Sequence, residues 1–290
     1  MRVFILGGTG SIGSAVTREL ALNGHQVLGL CRTEASARRL RDLGGEPVPG
    51  DLRRPQAWAA LAAMQDAVIQ LATDFEQDMG AVDAMAMQAL AEAASRRTAP
   101  LRLIYTGGCW LYGETGDRVA QETSLKRPIH AFAWMQENAQ ALQEDPHLSC
   151  TVIHPAMVYH EDGGGAFSRF LQEAGTGSPI EIWGSLRTRW PLVHRQDLAR
   201  AYRLLLEDPA ACGEFNVAAQ AGVALAEILP EIARRRSHDG SYVLRNRKHV
   251  MFKYGYWAEG PTLDQQMSAA KLRDRCGWQP DFPDFQQATF

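Results

Sequence analysis

The sequence predicts an α/β fold, a doubly wound parallel sheet with a smaller, discontinuous C-terminal lobe. Three observations carry that prediction. Short apolar runs rich in Val, Ile and Leu alternate with segments of helical periodicity from residue 2 to residue 155. Several of these runs are apolar throughout, as strands covered on both faces must be. Beyond Tyr159 the alternation stops, and glycine-rich loops, short helices and stretches rich in Trp, Tyr and Arg take over.

The first run, RVFIL at 2–6, meets GGTGSIG, after which Ile12, Ala15, Val16 and Leu20 recur at helical spacing until Asn23-Gly24 stops the helix. HQVLGL follows as a second strand, an Ala- and Arg-rich helix begins near Glu34, and EPVPG is a third strand. A short helix near Gln56 to Leu61, the strand DAVIQL, a helix from about Gln77 to Arg96 and the strand LRLIY continue the pattern. A helix through HAFAWMQEN, residues 130–138, and the strand SCTVIHP complete it. EDGGGAF and GTGSP then mark loops of the second lobe, to which the tail from Ala219 also belongs. PLVH, a helix from Gln196 to Glu207 and EFNVA read as elements returning to the sheet. The expected division is 1–158 plus about 191–218 for the sheet domain and 159–190 plus 219–290 for the annexed lobe.

With 290 residues, 46% of them hydrophobic, the chain can bury one large core, or a core and a smaller second one. A formal charge of -3 excludes a nucleic-acid binder that works through a basic field. Arg234, Arg235, Arg236, Arg245, Arg247 and Lys248 do cluster, as a solvated helix end and loop or, alternatively, as a seat for an anionic ligand or partner. Five widely spaced cysteines without a CxxC pair suggest neither a disulfide framework nor a zinc site. His154 and His160, followed by Glu161 and Asp162, lack a third spaced ligand, so no metal is expected. No apolar run approaches the ~20 residues of a membrane span. No basic, cleavable leader precedes the first strand, and a soluble cytoplasmic protein is expected.

Gly7-x-x-Gly10-x-x-Gly13 stands between the first strand and the first helix. Glycines there permit a tight turn, and the helix start offers free N–H groups and the positive end of its dipole to a pyrophosphate. Strand, turn, helix and second strand together make the context of a Rossmann-type dinucleotide site, with Gly7, Thr9, Gly10, Ser11, Ile12 and Gly13 at the cofactor. The second strand ends in Leu30-Cys31-Arg32-Thr33, with no carboxylate to take the ribose hydroxyls of NAD. Arg32 instead offers a planar cation to a 2′-phosphate, with Thr33 and Arg38 near it in sequence, so NADP is expected and NAD is the alternative.

Other segments join the glycine turn: Gly50-Asp51-Leu52, Leu71-Ala72-Thr73, Leu111-Tyr112-Gly113, His154 through Tyr159, Pro191-Leu192-Val193-His194 through Asp197, and Lys271-Leu272 with Gly277-Trp278-Gln279-Pro280. Together they resemble the extended short-chain dehydrogenase/reductases of the epimerase/dehydratase type over nearly the whole chain. The resemblance departs from the family pattern at His154, where Arg is usual, and at Cys276, where Leu is usual. It implies that Asp51 and Leu52 lie near the adenine, that Leu71, Ala72 and Thr73 line the cofactor, and that Pro155 and Val158 flank the nicotinamide. It further implies a homodimer through helices at about Gln77 to Arg96 and His130 to Gln143. Arg189 resembles the arginine with which nucleotide-sugar members grip a diphosphate. Trp183 and Trp190, with Tyr254, Tyr256 and Trp257, suggest instead a partly aromatic substrate pocket.

Members of that superfamily normally use Ser or Thr with Tyr-x-x-x-Lys, the Lys cation lowering a phenol pKa that is ordinarily about 10. Aligned on Tyr112-Gly113, the hydroxyl position falls on Gly108, and the register set by Pro128 and Glu137 puts Phe132 at the Tyr and Gln136 at the Lys. No Tyr-x-x-x-Lys occurs between 114 and 150, where Lys126 is the only lysine. Gln136 can still hydrogen-bond a ribose. Substitute proton donors are sought in Thr106, Cys109, Tyr112 and His130, each of which also has an ordinary reading as a packing, buried or capping residue. The expectation is an atypical NADP(H)-binding reductase or epimerase/dehydratase-like protein acting on a small molecule. The alternative is a non-catalytic dinucleotide sensor or scaffold.

Overall fold

The computed structural model describes the whole chain except Phe75 and Gln77. From the N-terminus the elements are β1 (Arg2–Leu6), α1 (Ser11–Leu22), β2 (Gln26–Cys31), α2 (Glu34–Asp42), β3 (Glu46–Pro49), α3 (Ala59–Ala63), β4 (Ala67–Gln70), α4 (Met79–Ala94), β5 (Leu101–Thr106), α5 (Ala133–Glu144) and β6 (Leu148–Pro155). They continue as β7 (Met157–Tyr159), α6 (Ser168–Gly175), β8 (Ile180–Trp183), β9 (Arg189–His194), α7 (Arg195–Glu207), β10 (Gly213–Val217), β11 (Gln220–Ala224), α8 (Leu225–Arg236), β12 (Tyr242–Arg245), α9 (Arg247–Tyr254) and α10 (Ala270–Cys276). Two compact units result: Met1–Gly107, Trp134–Ile153 and Leu198–Phe215 form the first, and Gly108–Ala133, His154–Asp197 and Asn216–Phe290 the second. Among the described residues no helix is long and apolar enough to cross a membrane.

The first unit is built on a seven-stranded sheet in the order β3-β2-β1-β4-β5-β6-β10. The pairings from β3 through β6 are all parallel. Burial on both faces explains the uniformly apolar strands: Val3, Phe4, Ile5 and Leu6 are all fully buried. Phe4, Leu6, Val68, Leu103, Tyr105 and Val152 belong to one cluster with Val82, Ala86 and Leu90 of α4 and Leu142 of α5, and Trp58 stacks on Phe4. Each such leucine-sized side chain contributes about 1.5–3 kcal/mol by leaving water. The strand order reverses between β1 and β4, where a doubly wound sheet opens a crevice beyond the carboxyl ends of its strands.

The second unit holds a three-stranded sheet, β11-β9-β7, and a two-stranded one, β12-β8. Its core is aromatic: Tyr159, Phe167, Phe170, Trp190 and Phe285 pack with Ile228 and Ile232 of α8.

Several expectations are corrected here. PLVH does not return to the large sheet: β9 pairs in parallel with β7 and antiparallel with β11. Its burial on both faces gives it the same apolar signature as a strand of the main sheet. HAFAWMQEN is two pieces, a 3-10 turn at His130–Phe132 and then α5. The expected helix start at Gln77 lies outside the described residues; the described helix runs from Met79 to Ala94. The division also differs, because 108–133, 154–158, 191–197 and 216–218 go with the second unit. The chain after β5 donates backbone hydrogen bonds to the distant tail: the N–H groups of Thr115 and Gly116 donate to Asp264 O at 3.0 and 3.1 Å, and that of Ala120 to Gln266 O at 2.9 Å. Pairings across about 150 residues leave no local trace in a sequence.

Candidate functional site

The turn between β1 and α1 requires its glycines. Gly7 has φ +81°, and a Cβ on it would fall 2.7 Å from Ala72 N. A Cβ on Gly13 would lie 2.0 Å from the carbonyl oxygen of Gly7, an oxygen that also accepts the N–H of Gly10 at 3.0 Å. α1 follows with Gly10 at its N-cap and no N-cap side chain bonded to its first turn, whose N–H groups carry the positive end of the helix dipole at the cleft wall.

This turn lines a cleft of about 510 Å³. Arg32, Thr33 and Ser36 join it from the end of β2 and the start of α2, Leu52 from beyond β3, Gln70 through Thr73 from the end of β4, Tyr105 and Thr106 from β5, and Trp134 and Met135 from α5. Arg32 is exposed, whereas Thr33 caps α2, its Oγ1 accepting the N–H of Ser36 at 3.1 Å. Asp51 itself holds the turn after β3, with Oδ1 accepting the N–H of Arg53 at 2.9 Å. The acid on the cleft wall at Asp74 accepts from Arg53 Nε at 2.6 Å. Gln136 sits half-buried in α5, next to Met135.

Below the ends of β4 and β5 lies a group that sequence reasoning missed. Asp83 of α4 is 3% exposed and accepts three hydrogen bonds: from Gln70 Nε2 at 2.6 Å, Tyr105 Oη at 2.7 Å and Asn138 Nδ2 at 2.8 Å. Burial raises its carboxyl above the usual range, and the three donors offset only part of that rise. Burial, reinforced by the Asp83 charge, raises the Tyr105 phenol well above its usual range. The available signal was a lone acid in the first half of an Ala- and Met-rich helix.

Of the four candidate proton donors, Thr106 is the one on the wall of this cleft. Its Oγ1 donates to Gln70 O at 2.6 Å and lies 2.7 Å from Tyr202 Oη, which can donate to it. Cys109, Tyr112 and His130 belong to the second unit. Burial pushes the Cys109 thiol up to about 12, which makes it a poor proton donor. Tyr112 Oη donates to Asn216 Oδ1 at 2.8 Å, and its ring borders a separate cavity of about 190 Å³. His130 is exposed, 6.1 Å from the ring of Tyr256. Phe132 packs on Trp110 with ring centroids 5.5 Å apart, and Gly108 has φ 179° with open space where a Cβ would stand. Pro155 ends β6, and Val158 pairs with Val193 across β7 and β9, both in the second unit.

The residues expected at the substrate make the following contacts. Trp183 and Trp190 are buried, 3% and 4% exposed, and packed against their own neighbours. Trp190 stacks on Phe170 and donates Nε1–H to Pro261 O at 2.9 Å, while the Arg169 guanidinium covers Trp183 at 4.3 Å. Arg189 is committed to Asp264, Nη2 to Oδ2 at 2.6 Å, with Asp117 at 3.1 Å. A guanidinium already forked onto a carboxylate has its diphosphate-binding face in use.

A doubly wound sheet whose order reverses beside such a glycine turn is the architecture of the nicotinamide dinucleotide-binding Rossmann proteins. Residues 3–218 match the NAD dependent epimerase/dehydratase family, and the chain belongs to that family. It is similar to an uncharacterized protein of Schizosaccharomyces pombe, 26% identical over 288 residues, covering 97% of this chain and 95% of the other. In fold it is similar to the human epimerase family protein SDR39U1 solved with NADPH, with TM-score 0.81 and 22% identity over 98% of this chain and 96% of that one. The UDP-glucuronic acid 4-epimerase from Bacillus cereus, solved with UDP-glucuronic acid and NAD, gives TM-score 0.80 at 16% identity over 100% and 98%.

Proposed function

We propose that the protein binds NADP(H) in the first-unit cleft and is an atypical reductase or epimerase/dehydratase-like enzyme of a small molecule. The observation that carries this reading is the cleft wall, where a glycine cradle meets a helix start and Arg32 stands with the hydroxyls of Thr33 and Ser36 at the end of β2. Arg32 would hold the 2′-phosphate and the first turn of α1 the pyrophosphate. The nicotinamide half would then fall toward Gln70 through Thr73 and Thr106, at the ends of β4 and β5. When bound, such a dinucleotide supplies or accepts a hydride. Thr106 would be the hydroxyl that meets a substrate oxygen; to donate its proton it must release Gln70 O, and Tyr202 Oη can then refill it.

Calorimetric titration with NADP and NAD tests the cofactor. The expected result is tighter binding of NADP, by about tenfold or more, with the preference abolished in Arg32→Asp. Equal affinities in the wild type contradict it. The second reading, a non-catalytic dinucleotide sensor or scaffold, is favoured by the Phe132 ring, which packs on Trp110 and has no proton to exchange. NADPH consumption against a panel of carbonyl compounds separates the two. A cytoplasmic homodimer joined through α4 and α5 is proposed on the family resemblance, and a monomer mass by light scattering at micromolar concentration contradicts it.

A further inference from the structure

We infer that Asp83 is a resident anion of the cleft wall that favours the oxidised, positively charged nicotinamide over its reduced, neutral form. The inference rests on the dinucleotide reading above and adds to it a residue that sets which redox form is held.

The hydrogen bonds around Asp83 suit a carboxylate and oversupply a neutral acid. Gln70 Oε1 accepts the N–H of Ala72 at 3.0 Å, so the amide NH2 of Gln70 must face Asp83. Asn138 Nδ2 also reaches Gly80 O at 3.3 Å, which turns its NH2 the same way. Two side chains that can only donate in these orientations leave a proton on Asp83 with one place to go, the Tyr105 hydroxyl, and only after that hydroxyl gives up its own bond. The charge is also left standing, because all three partners are neutral, whereas Asp74 on the same cleft is matched by Arg53. An uncompensated charge that is 3% exposed is poorly screened and acts across a cleft of this size.

Its place in the sheet selects what it acts on. Of its partners, Gln70 ends β4 and Tyr105 stands one residue before the end of β5, while Arg32 follows the end of β2 on the other side of β1. The anion therefore underlies the half of the cleft opposite the 2′-phosphate end. Both redox forms share the phosphates and the adenosine, so a fixed charge there discriminates between them only through the nicotinamide ring, which carries +1 when oxidised and is neutral when reduced.

The test is the ratio of affinities for NADP+ and NADPH, measured by titration at pH 8 on the intact protein. Asp83→Asn is expected to lower the preference for NADP+ about tenfold relative to wild type, through weaker NADP+ binding. Tyr105→Phe keeps the charge and deletes one hydrogen bond, and its ratio is expected to stay within about threefold of wild type. Should circular dichroism show Asp83→Asn unfolded, Asp83→Ser serves as the neutral variant, since it leaves room for a water among the same donors. An unchanged ratio in the neutral variant, or an equal shift in Tyr105→Phe, overturns the role of Asp83. Failure of the wild type to bind either form instead refutes the dinucleotide reading itself.

Discussion

The guanidinium of Arg189 meets the carboxylate of Asp264 along two hydrogen bonds, Nε to Oδ1 at 2.9 Å and Nη2 to Oδ2 at 2.6 Å, and the backbone N–H of Arg189 adds a third at 2.8 Å. The pair ties the start of β9 to the C-terminal tail. Hydrogen bonding from Arg189 holds the Asp264 carboxyl below its usual range. A carboxyl depressed in the folded state contributes stability above its unfolded pKa of about 3.9, and that contribution is lost as pH falls through the lower folded value. Arg189→Ala is expected to cost about 1–3 kcal/mol in urea denaturation at pH 7, with the gap to wild type narrowing below about pH 4. A loss of substrate affinity without loss of stability would return Arg189 to the substrate site.

Gly13 and Gly10 should respond differently to one methyl group. At Gly13 the new Cβ meets the Gly7 carbonyl at 2.0 Å, so backbone must move, and Gly13→Ala is expected to lower the melting temperature and abolish dinucleotide binding. At Gly10 the nearest atom is the same oxygen at 3.3 Å, with nothing else within 4 Å. Gly10→Ala should fold like wild type and bind the dinucleotide about tenfold more weakly, because the methyl occupies the cradle. Thermal melts paired with titrations read both.

The cysteines should separate by burial. Cys212 is exposed, whereas Cys109 and Cys150 are buried, and burial pushes both their thiols up to about 12. Native labelling with a maleimide near neutral pH is expected to reach Cys212 at least about a hundredfold faster than either, as read by peptide mass spectrometry. Rapid labelling of Cys109 would show that its surroundings open.

Restoring the family's usual groups tests whether their loss limits turnover. Gly108 has room for a side chain, and its extended backbone suits any residue, so Gly108→Ser is sterically accepted. The Gly108→Ser/Phe132→Tyr/Gln136→Lys variant is expected to reduce generic carbonyl compounds faster than wild type, within the ~10²–10⁴ that general acid–base catalysis typically supplies. In the wild type, Thr106→Val should remove most of whatever turnover exists. Strong wild-type turnover that is insensitive to Thr106→Val, and to replacement of Cys109, Tyr112 and His130, would mean that no protein-borne acid is needed.

The sheet, the glycine turn and the placement of Arg32 were legible in the chain because each is a local matter. A strand, a turn, a helix and the next strand follow one another within residues 2–31, and the periods of two kinds of element and the steric needs of Gly7 and Gly13 are written in consecutive residues. Only the tertiary structure decided the rest. Asp83 acquires its meaning from Gln70, Tyr105 and Asn138, which come from β4, β5 and α5. Arg189 pairs with a carboxylate 75 residues away, and Trp190 stacks on Phe170 and donates to Pro261 O. PLVH joins a small sheet because β7 and β11 are its neighbours, although its own residues suit either sheet equally. A hydrophobic period specifies which face of an element is buried, but not which element buries it. Partner choice follows from the packing of elements far apart in sequence, and that packing determines which charges are matched and which, like Asp83, are left to act on whatever enters the cleft.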